Sequence, residues 1–423
     1  MIRRLQVALI ATVLIVAAFS TGADFLFFLV YLGILVIGGA YLVTRFGLAD
    51  LEAGYVLDRP HAQVGDTLRA TYTVRNTSRI PKLWLEVYNP TSLPVALPGR
   101  ALALGSRSER SWVARVPLTR RGHFRVDPMV IRTGDPFGLF ESYASVGSAS
   151  TVIVYPPVES LPHWRLPSAT LEGTHASPER TLQTTAMVSS IRPYVPGDAY
   201  NRIHWKSSAR HQELQVKEFD LEQTADVWLF VDLDRSVHAG IGDTATIETA
   251  VRVAASIGSR ALIDNRSLGF TATGLRRAVL PADRGPRQQQ KLLQLLAAID
   301  ADGAVPLREL LVEGLSRLRR GMTAVVITPS LERDWIRPLA TLRVRGIGTA
   351  VCVIDPVAHE DRTRLDQGKP PLPDDEREAR AREARALKYA LAEHDLQVHV
   401  LAPRRSLGEQ IVSMSPGKAG VRV

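Results

Sequence analysis

Hydrophobic residues fall along this chain in several different rhythms, and each rhythm predicts a different kind of element. Leu5 to Phe19 contains no charged residue, Ser20-Thr21-Gly22-Ala23-Asp24 interrupts, and Phe25 to Val43 is apolar again. The second run has about the length that crosses a hydrocarbon core, whereas the first is nearer that of a signal-peptide core. Ala18-Phe19-Ser20 does not supply a convincing small-residue cleavage site, so the expected element is a helical hairpin, with two transmembrane helices in residues 1–46. Arg3 and Arg4 precede the first run, Asp24 lies between the runs and Arg45 follows the second. The positive-inside rule then puts both ends in the cytoplasm. The expected location is the inner (plasma) membrane, multi-pass, with the soluble domains cytoplasmic; cleavage of the first run would place them outside.

Residues 51–160 change to the two-residue alternation of half-buried strands. Thr67 to Arg75, Leu83 to Tyr88, Ser111 to Val116, Gly122 to Val126, Met129 to Thr133 and Thr151 to Tyr155 are the candidate strands, punctuated by turns such as Val64-Gly65-Asp66. Short strands at this spacing predict a β-sandwich of immunoglobulin-like type. Asp135-Pro136-Phe137-Gly138-Leu139-Phe140 reads as a tight loop pinned by two buried phenylalanines.

Residues 224–415 alternate continuous apolar runs with helical periodicity. Val227 to Leu233, Thr323 to Thr328 and Gly348 to Ile354 read as parallel strands covered on both faces. Ser267 to Thr273 and Arg277 to Leu280 read as a hairpin, and Leu396 to Leu401 as the closing strand. Helices are expected over Thr246 to Asn265, Arg287 to Ile299, Leu307 to Arg320, Leu331 to Arg345 and Asp374 to Glu393, with Asp355 to Pro373 a loop. The acids of the last helix gather at its start, as the helix dipole prefers. This alternation predicts a doubly wound α/β domain.

Between these units, residues 161–223 form a polar, aperiodic linker and then a dense basic segment. Ile191 to Phe219 places Arg192, Arg202, His204, Trp205, Lys206 and Arg210 around a Pro196-Gly197-Asp198 turn. Proline presets φ and glycine tolerates positive φ at such a turn. Asp198 is positioned to cap a short helix over Ala199 to Ala209, and Gln215 to Phe219 alternates as an edge strand does.

Arg192, Tyr194, Gly197, Asp198, Arg202, Ile203, His204, Trp205, Lys206, Ser208, Ala209, Arg210, Leu214, Val216, Lys217, Glu218 and Phe219 together resemble the signature of the domain of unknown function 58 family. The resemblance implies a membrane-anchored bacterial or archaeal protein with a von Willebrand factor type A-like region, often associated with a MoxR-type AAA+ ATPase. Type A domains often carry D-x-S-x-S after their first strand as ligands for magnesium or manganese, and hard divalent cations favour such oxygens. Asp232 and Ser236 match the first and last positions, and Asp234 replaces the middle serine. The further threonine and aspartate of that pattern are missing: Asp302-Gly303-Ala304 and Thr328-Pro329-Ser330 stand in their places. The alternative to a metal site is a loop whose acids cap turns or pair with arginines.

Composition narrows the function further. The 423 residues carry a formal charge of +9, spread along the chain without an accompanying nucleic-acid-binding fold or aromatic-basic repeat, so nucleic acid is not the expected partner. Anionic lipid or an acidic protein surface fits better. Cys352 is the single cysteine, in an apolar run, so no intrachain disulfide exists. No P-loop or G-x-S-x-G elbow is present. His204 with Ser207 and Ser208 is the weak candidate for hydrolysis. Tryptophan beside arginine and lysine is the composition of an interaction patch, although Trp205 is equally suited to anchoring its segment in a core. The leading expectation is a membrane-tethered, non-enzymatic adaptor or scaffold without a cofactor. It would work with a MoxR-type ATPase in assembly or maturation of membrane or envelope complexes. The alternative is a divalent-metal-dependent ligand-binding receptor using Asp232, Asp234 and Ser236 with Mg2+ or Mn2+.

Overall fold

The computed structural model describes residues 2–162, 164, 188–195, 198, 200–219 and 226–411. Most of the predicted linker lies outside the described residues. The chain divides into two units, one built mainly from the residues up to Pro157 and the other from most of the chain after Val158.

The first unit begins with α1 (Ile2–Thr21) and α2 (Asp24–Gly47). α2 is long and apolar enough to cross a membrane, and the apolar part of α1, Gln6–Thr21, is shorter. Gly22 at φ +66° makes the reversal between them, where a side chain would be strained. Past the reversal, the rings of Phe19 and Phe27 meet edge-on at 5.4 Å.

Ten strands come next: β1 (Leu51–Leu57), β2 (His61–Gln63), β3 (Thr67–Asn76), β4 (Lys82–Tyr88), β5 (Arg100–Leu104), β6 (Glu109–Pro117), β7 (Gly122–Val126), β8 (Met129–Gly134), β9 (Glu141–Val146) and β10 (Ser150–Tyr155). They pair in the orders β1-β3-β6, β2-β10-β7 and β5-β4-β8-β9. Alternate residues of β3, namely Leu68, Ala70, Tyr72 and Val74, enter a core shared with Leu85 and Val87 of β4, Ala114 and Val116 of β6, and Val152 and Val154 of β10. The two-residue rhythm of the sequence is this inward alternation. The short strands β1, β2, β5 and β9 were not expected.

α2 ends on this unit. Ala40, Thr44 and Gly47 are its buried residues, one stripe at helical spacing. A Cβ on Gly47 would lie 2.7 Å from Cγ2 of Thr133, so β8 approaches the helix end closely because position 47 is glycine. Lys82 is buried and its ammonium donates to the carbonyl of Phe46 at 2.7 Å, satisfying one of the carbonyls a helix end leaves open. Burial pulls the Lys82 pKa down. The Asp135–Phe140 loop is tight, as its sequence predicts. It is not pinned by two buried phenylalanines, because Phe137 points outward and Phe140 is half-buried. Asp135 holds the loop instead: its carboxylate accepts from the backbone N–H groups of Phe137 at 2.8 Å and Phe140 at 2.5 Å.

The second unit opens with β11 (Val188–Pro193), α3 (Trp205–His211) and β12 (Gln215–Phe219), a two-stranded ribbon whose connection carries the basic signature. Beyond it come β13 (Val227–Val231), α4 (Thr246–Ile263), β14 (Leu268–Thr273), β15 (Arg277–Asp283), α5 (Pro286–Ala298), α6 (Leu307–Gly314), β16 (Thr323–Thr328), α7 (Ile336–Val344), β17 (Gly348–Ile354), α8 (Pro356–Asp366), α9 (Asp374–Glu393), β18 (Gln397–Leu401) and α10 (Leu407–Gln410). The main sheet runs β15-β14-β13-β16-β17-β18, parallel except for edge strand β15. β13, β16 and β17 are buried at every residue, as strands covered on both faces must be. On one face Trp228, Phe230, Val326 and Val351 pack with Leu310, Leu339 and Leu387 from α6, α7 and α9.

Among the helices, α10 was not expected and α6 ends at Gly314 rather than Arg320, and two segments depart further. α8 occupies much of the segment expected to be a loop: its polar composition hides it, but Asp355 caps it by accepting from the N–H groups of Val357 and Ala358, and Pro356 stands in its first turn. The helix expected over Ala199 to Ala209 is a 3-10 turn, Tyr200–Arg202, followed by α3.

Candidate functional site

The signature segment is held by backbone pairing before any side chain is considered. β11 and β12 are antiparallel, with Arg192 opposite Val216 and Pro193 opposite Gln215. β12 is no edge strand at Val216, because Ile203 bridges to it from the other side. The backbone N–H of Tyr194 donates to Leu214 at 2.8 Å and that of His204 to Gln215 at 2.8 Å. Ile203 and Val216 are buried between these strands.

Side chains then fix the connection. The guanidinium of Arg192 makes a two-pronged pair with Asp198, Nη1 to Oδ2 at 2.8 Å and Nη2 to Oδ1 at 2.7 Å. Asp198 also accepts from the N–H of Val195 at 2.9 Å. It therefore closes the turn rather than capping a helix. The cap of α3 is His204, whose Nδ1 accepts from the N–H of Ser207 at 3.1 Å. Ser208 is buried, donates to the carbonyl of His204 at 3.1 Å and accepts from the N–H of Gln215 at 2.8 Å. His204 Nδ1 and the Ser208 hydroxyl are thus both engaged in holding backbone.

Ser208 is the buried residue of α3, and the rest of the helix surface looks out. Trp205 is 67 % exposed, and Lys206, Arg210 and His211 are exposed beside it in sequence. Tyr200 is 71 % exposed although its ring stacks on Tyr194 at 5.9 Å. Sequence reasoning did not single out Tyr200; its spacing from Tyr194 across the turn was the available signal. Trp205 does not anchor the segment in a core. Gly197 and the Arg202 side chain lie outside the described residues. From Ile191 to His211 the sequence holds four Arg or Lys residues and one acid, Asp198, which pairs with Arg192. The arrangement is a basic, aromatic surface on a hydrogen-bonded connection.

Asp232, Asp234 and Ser236 lie just past β13, at the carboxyl end of the sheet where ligands of open α/β folds bind. Asp232 is 1 % exposed, and both its oxygens accept hydrogen bonds: Oδ2 from the Thr328 hydroxyl at 2.6 Å and Oδ1 from the Asp234 N–H at 3.1 Å. Burial raises its pKa to about 6. Asp234 Oδ1 accepts from both the N–H of Ser236 at 2.9 Å and its hydroxyl at 2.8 Å. His238, not foreseen from the sequence, bonds the carbonyl of Asp232 through Nε2 at 2.9 Å and the Thr246 hydroxyl through Nδ1 at 2.8 Å. Thr328, where the type A pattern calls for a carboxylate, ties two strand ends together. Both oxygens of Asp232 thus already hold the protein's own donors, and among the described residues no cluster of three or more His, Cys, Asp or Glu is placed to hold a metal ion. Cys352 is buried in β17, and burial pushes its thiol up to about 12. Beside the Ser236 loop a cleft of about 1080 Å³ opens, lined by Ser236, His238, Ser330, Glu332, Glu360 and Arg380 among others. Arg380 is held there by Glu360 and Glu376 at 2.9 and 2.8 Å.

Parts of this chain are similar to known proteins. Residues 190–383 match the family model described as protein of unknown function DUF58. The uncharacterized protein YeaD of Bacillus subtilis is 26 % identical over 343 residues, which span 78 % of this chain and 83 % of YeaD. The uncharacterized protein Rv1480 of Mycobacterium tuberculosis is 31 % identical over 171 residues, covering 39 % of this chain and 54 % of that protein. Among solved structures, a CARDB domain from Pyrococcus furiosus aligns at 15 % identity and a TM-score of 0.19, over 25 % of this chain and 87 % of that domain.

Proposed function

We propose that this chain, which belongs to the DUF58 family through residues 190–383, is a membrane-tethered, non-enzymatic adaptor that docks a protein partner on the β11–β12 connection. One observation carries the reading: Trp205 stands 67 % exposed on a helix that His204 and Ser208 hold in place. Exposed tryptophan beside arginine and lysine is the composition of binding hot spots, and a braced surface loses little entropy on docking. The cations around it select an acidic partner surface.

The resemblance supplies the partner, a MoxR-type AAA+ ATPase, with assembly or maturation of membrane or envelope complexes as the task. Two further features support this architecture. The sheet order β15-β14-β13-β16-β17-β18, with β15 antiparallel at the edge, agrees with a von Willebrand factor type A-like domain. α1 and α2 are read as a two-pass tether whose flanking arginines favour a cytoplasmic position for the residues beyond α2, and the β-rich unit as an immunoglobulin-like sandwich. The receptor reading gains nothing from the geometry of Asp232.

The test is capture of full-length protein from its native membrane, with and without ATP and magnesium, followed by identification of the bound proteins. Wild type is expected to recover an AAA+ ATPase, and Trp205→Ala and Lys206→Glu/Arg210→Glu to lose it while retaining the native melting curve. Recovery of no ATPase by wild type under either condition rejects the proposal.

A further inference from the structure

The Asp135–Phe140 loop and the start of β4 lie where α2 leaves its apolar stretch, and their exposed side chains are apolar. Phe137 is 57 % exposed, and Ile80, Leu83 and Trp84 are exposed as well. With Leu42, Val43 and Phe46 of α2, the β4 residues line a small apolar recess of about 270 Å³. Nothing in the β-rich core requires these side chains outside it; that core closes on the opposite faces of β4 and β8.

The register of α2 says what covers them. A hydrocarbon core of about 30 Å takes about 20 residues at 1.5 Å each. Counted from Phe25, the first apolar residue of α2, such a span ends near Thr44. Tyr41 is then inside the boundary, and the ring of Phe140 packs edge-on against it at 5.7 Å. Phe140 therefore reaches the depth of the last turn of the span, and the loop that carries it cannot lie in bulk water if α2 is in lipid. Asp135 fixes that loop through the N–H groups of Phe137 and Phe140, and Gly138 at φ +69° completes its turn. Phe137 is the residue the turn projects outward. Tryptophan favours this layer through its amphipathic ring, and phenylalanine and leucine are among the residues that interfacial segments bury there.

We propose that the Asp135–Phe140 loop, with Leu83 and Trp84, is a lipid-binding rim that inserts into the interfacial layer of the bilayer around α2. The rim rests on the reading that α2 spans the membrane, and it seats the β-rich unit on the bilayer surface at a fixed height.

The experiment uses full-length protein in vesicles of phosphatidylethanolamine and phosphatidylglycerol, labelled with an environment-sensitive fluorophore at one introduced cysteine. The native Cys352 is buried and does not compete. Labels at Phe137→Cys and, separately, Leu83→Cys report the rim, Leu35→Cys the middle of α2, and Arg59→Cys the unit beyond the far end of β1. Loss of emission to a shallow lipid-borne nitroxide at positions 137 and 83, with loss to a deep one at 35 and to aqueous iodide only at 59, is the expected result. Lipid quenching at 35 but aqueous quenching at both 137 and 83 overturns the rim and leaves the span intact. Aqueous quenching at 35 removes the span and the rim with it. Shielding of 137 and 83 from both quenchers means that protein covers them, which also overturns the proposal.

Discussion

The hydroxyl of Thr328 donates to Asp232 Oδ2 at 2.6 Å, so the carboxyl ends of the adjacent central strands β13 and β16 are joined by one buried bond. The carboxylate it reaches has been taken out of water, and desolvation outweighs the bonds that favour its charge, raising its pKa to about 6. In the unfolded chain the same group titrates near the usual aspartate value. Between those two values the folded protein binds more protons than the unfolded one, so stability falls as pH rises through roughly pH 4 to 6. The shift corresponds to a loss on the order of 3 kcal/mol. Melting of detergent-solubilised Asp232→Asn is expected to lose this acid-side gain and to match or exceed wild type above pH 7. An unchanged pH profile in the variant means that Asp232 is not the group responsible.

The same bonds predict the response to divalent ions. A site that bound Mg2+ or Mn2+ in the folded state alone would raise the melting temperature by linkage. Asp232 is buried with both oxygens bonded, so saturating either ion is expected to leave the melting curve of wild type and of Ser236→Ala superimposable. A rise in wild type that Ser236→Ala abolishes would restore the metal-dependent receptor.

Arg192 and Asp198 close the turn that presents Trp205. Their side chains are 38 % and 21 % exposed, so solvent screens part of the attraction and the pair is worth at most about 1 kcal/mol. Asp198→Ala removes the acceptor of the Val195 N–H as well. Global melting is expected to move little, while amide hydrogen exchange from Val195 to His204 accelerates. Exchange as slow as in wild type would show that the β11–β12 pairing alone orders the connection.

Much of the fold is legible in the chain because burial on two faces leaves a continuous apolar run, as in Thr323 to Thr328 and Gly348 to Ile354. α8 was illegible for the converse reason: its sequence, PVAHEDRTRLD, has no apolar stripe, and the cap at Asp355 is a single residue among many acids. Asp198 shows a different limit. The carboxylate can cap a helix or pair with an arginine, and sequence spacing does not choose between uses that the tertiary position of Arg192 decides. Phe137 shows another, since hydrophobicity says that a ring avoids water but not where it goes. Within the candidate site the sequence singled out Trp205, Lys206 and Arg210, while their exposure is a matter of tertiary position that composition does not give.

Gly47 and Thr133 set how closely the end of α2 meets β8. A methyl group at position 47 would meet Cγ2 and Oγ1 of Thr133 at 2.7 and 2.8 Å, and Thr133 is buried with its hydroxyl donating to the carbonyl of Trp84 at 2.8 Å. It has little room to yield. Gly47→Ala is expected to destabilise the β-rich unit by about 1 to 3 kcal/mol through overpacking. Combining it with Thr133→Ala should recover part of that loss, giving a non-additive double-mutant cycle. Additive melting shifts would mean that the helix end moves freely past β8.

Trp205 separates binding from folding. The residue is 67 % exposed on α3. Removing an exposed side chain that braces nothing is expected to change stability within about 0.5 kcal/mol. If the same indole fills a pocket on a partner, its loss costs about 2 kcal/mol or more of binding, at least roughly tenfold in affinity. Ser208→Val supplies the opposite case, because it leaves the N–H of Gln215 without its acceptor and loosens the platform itself. Titration of the captured ATPase against Trp205→Ala should therefore show weakened binding at an unchanged melting temperature, and against Ser208→Val weakened binding with a lower one. Undiminished affinity in Trp205→Ala would move the docking surface away from α3, and the cleft beside Ser236 and Glu360 would be the next surface to probe.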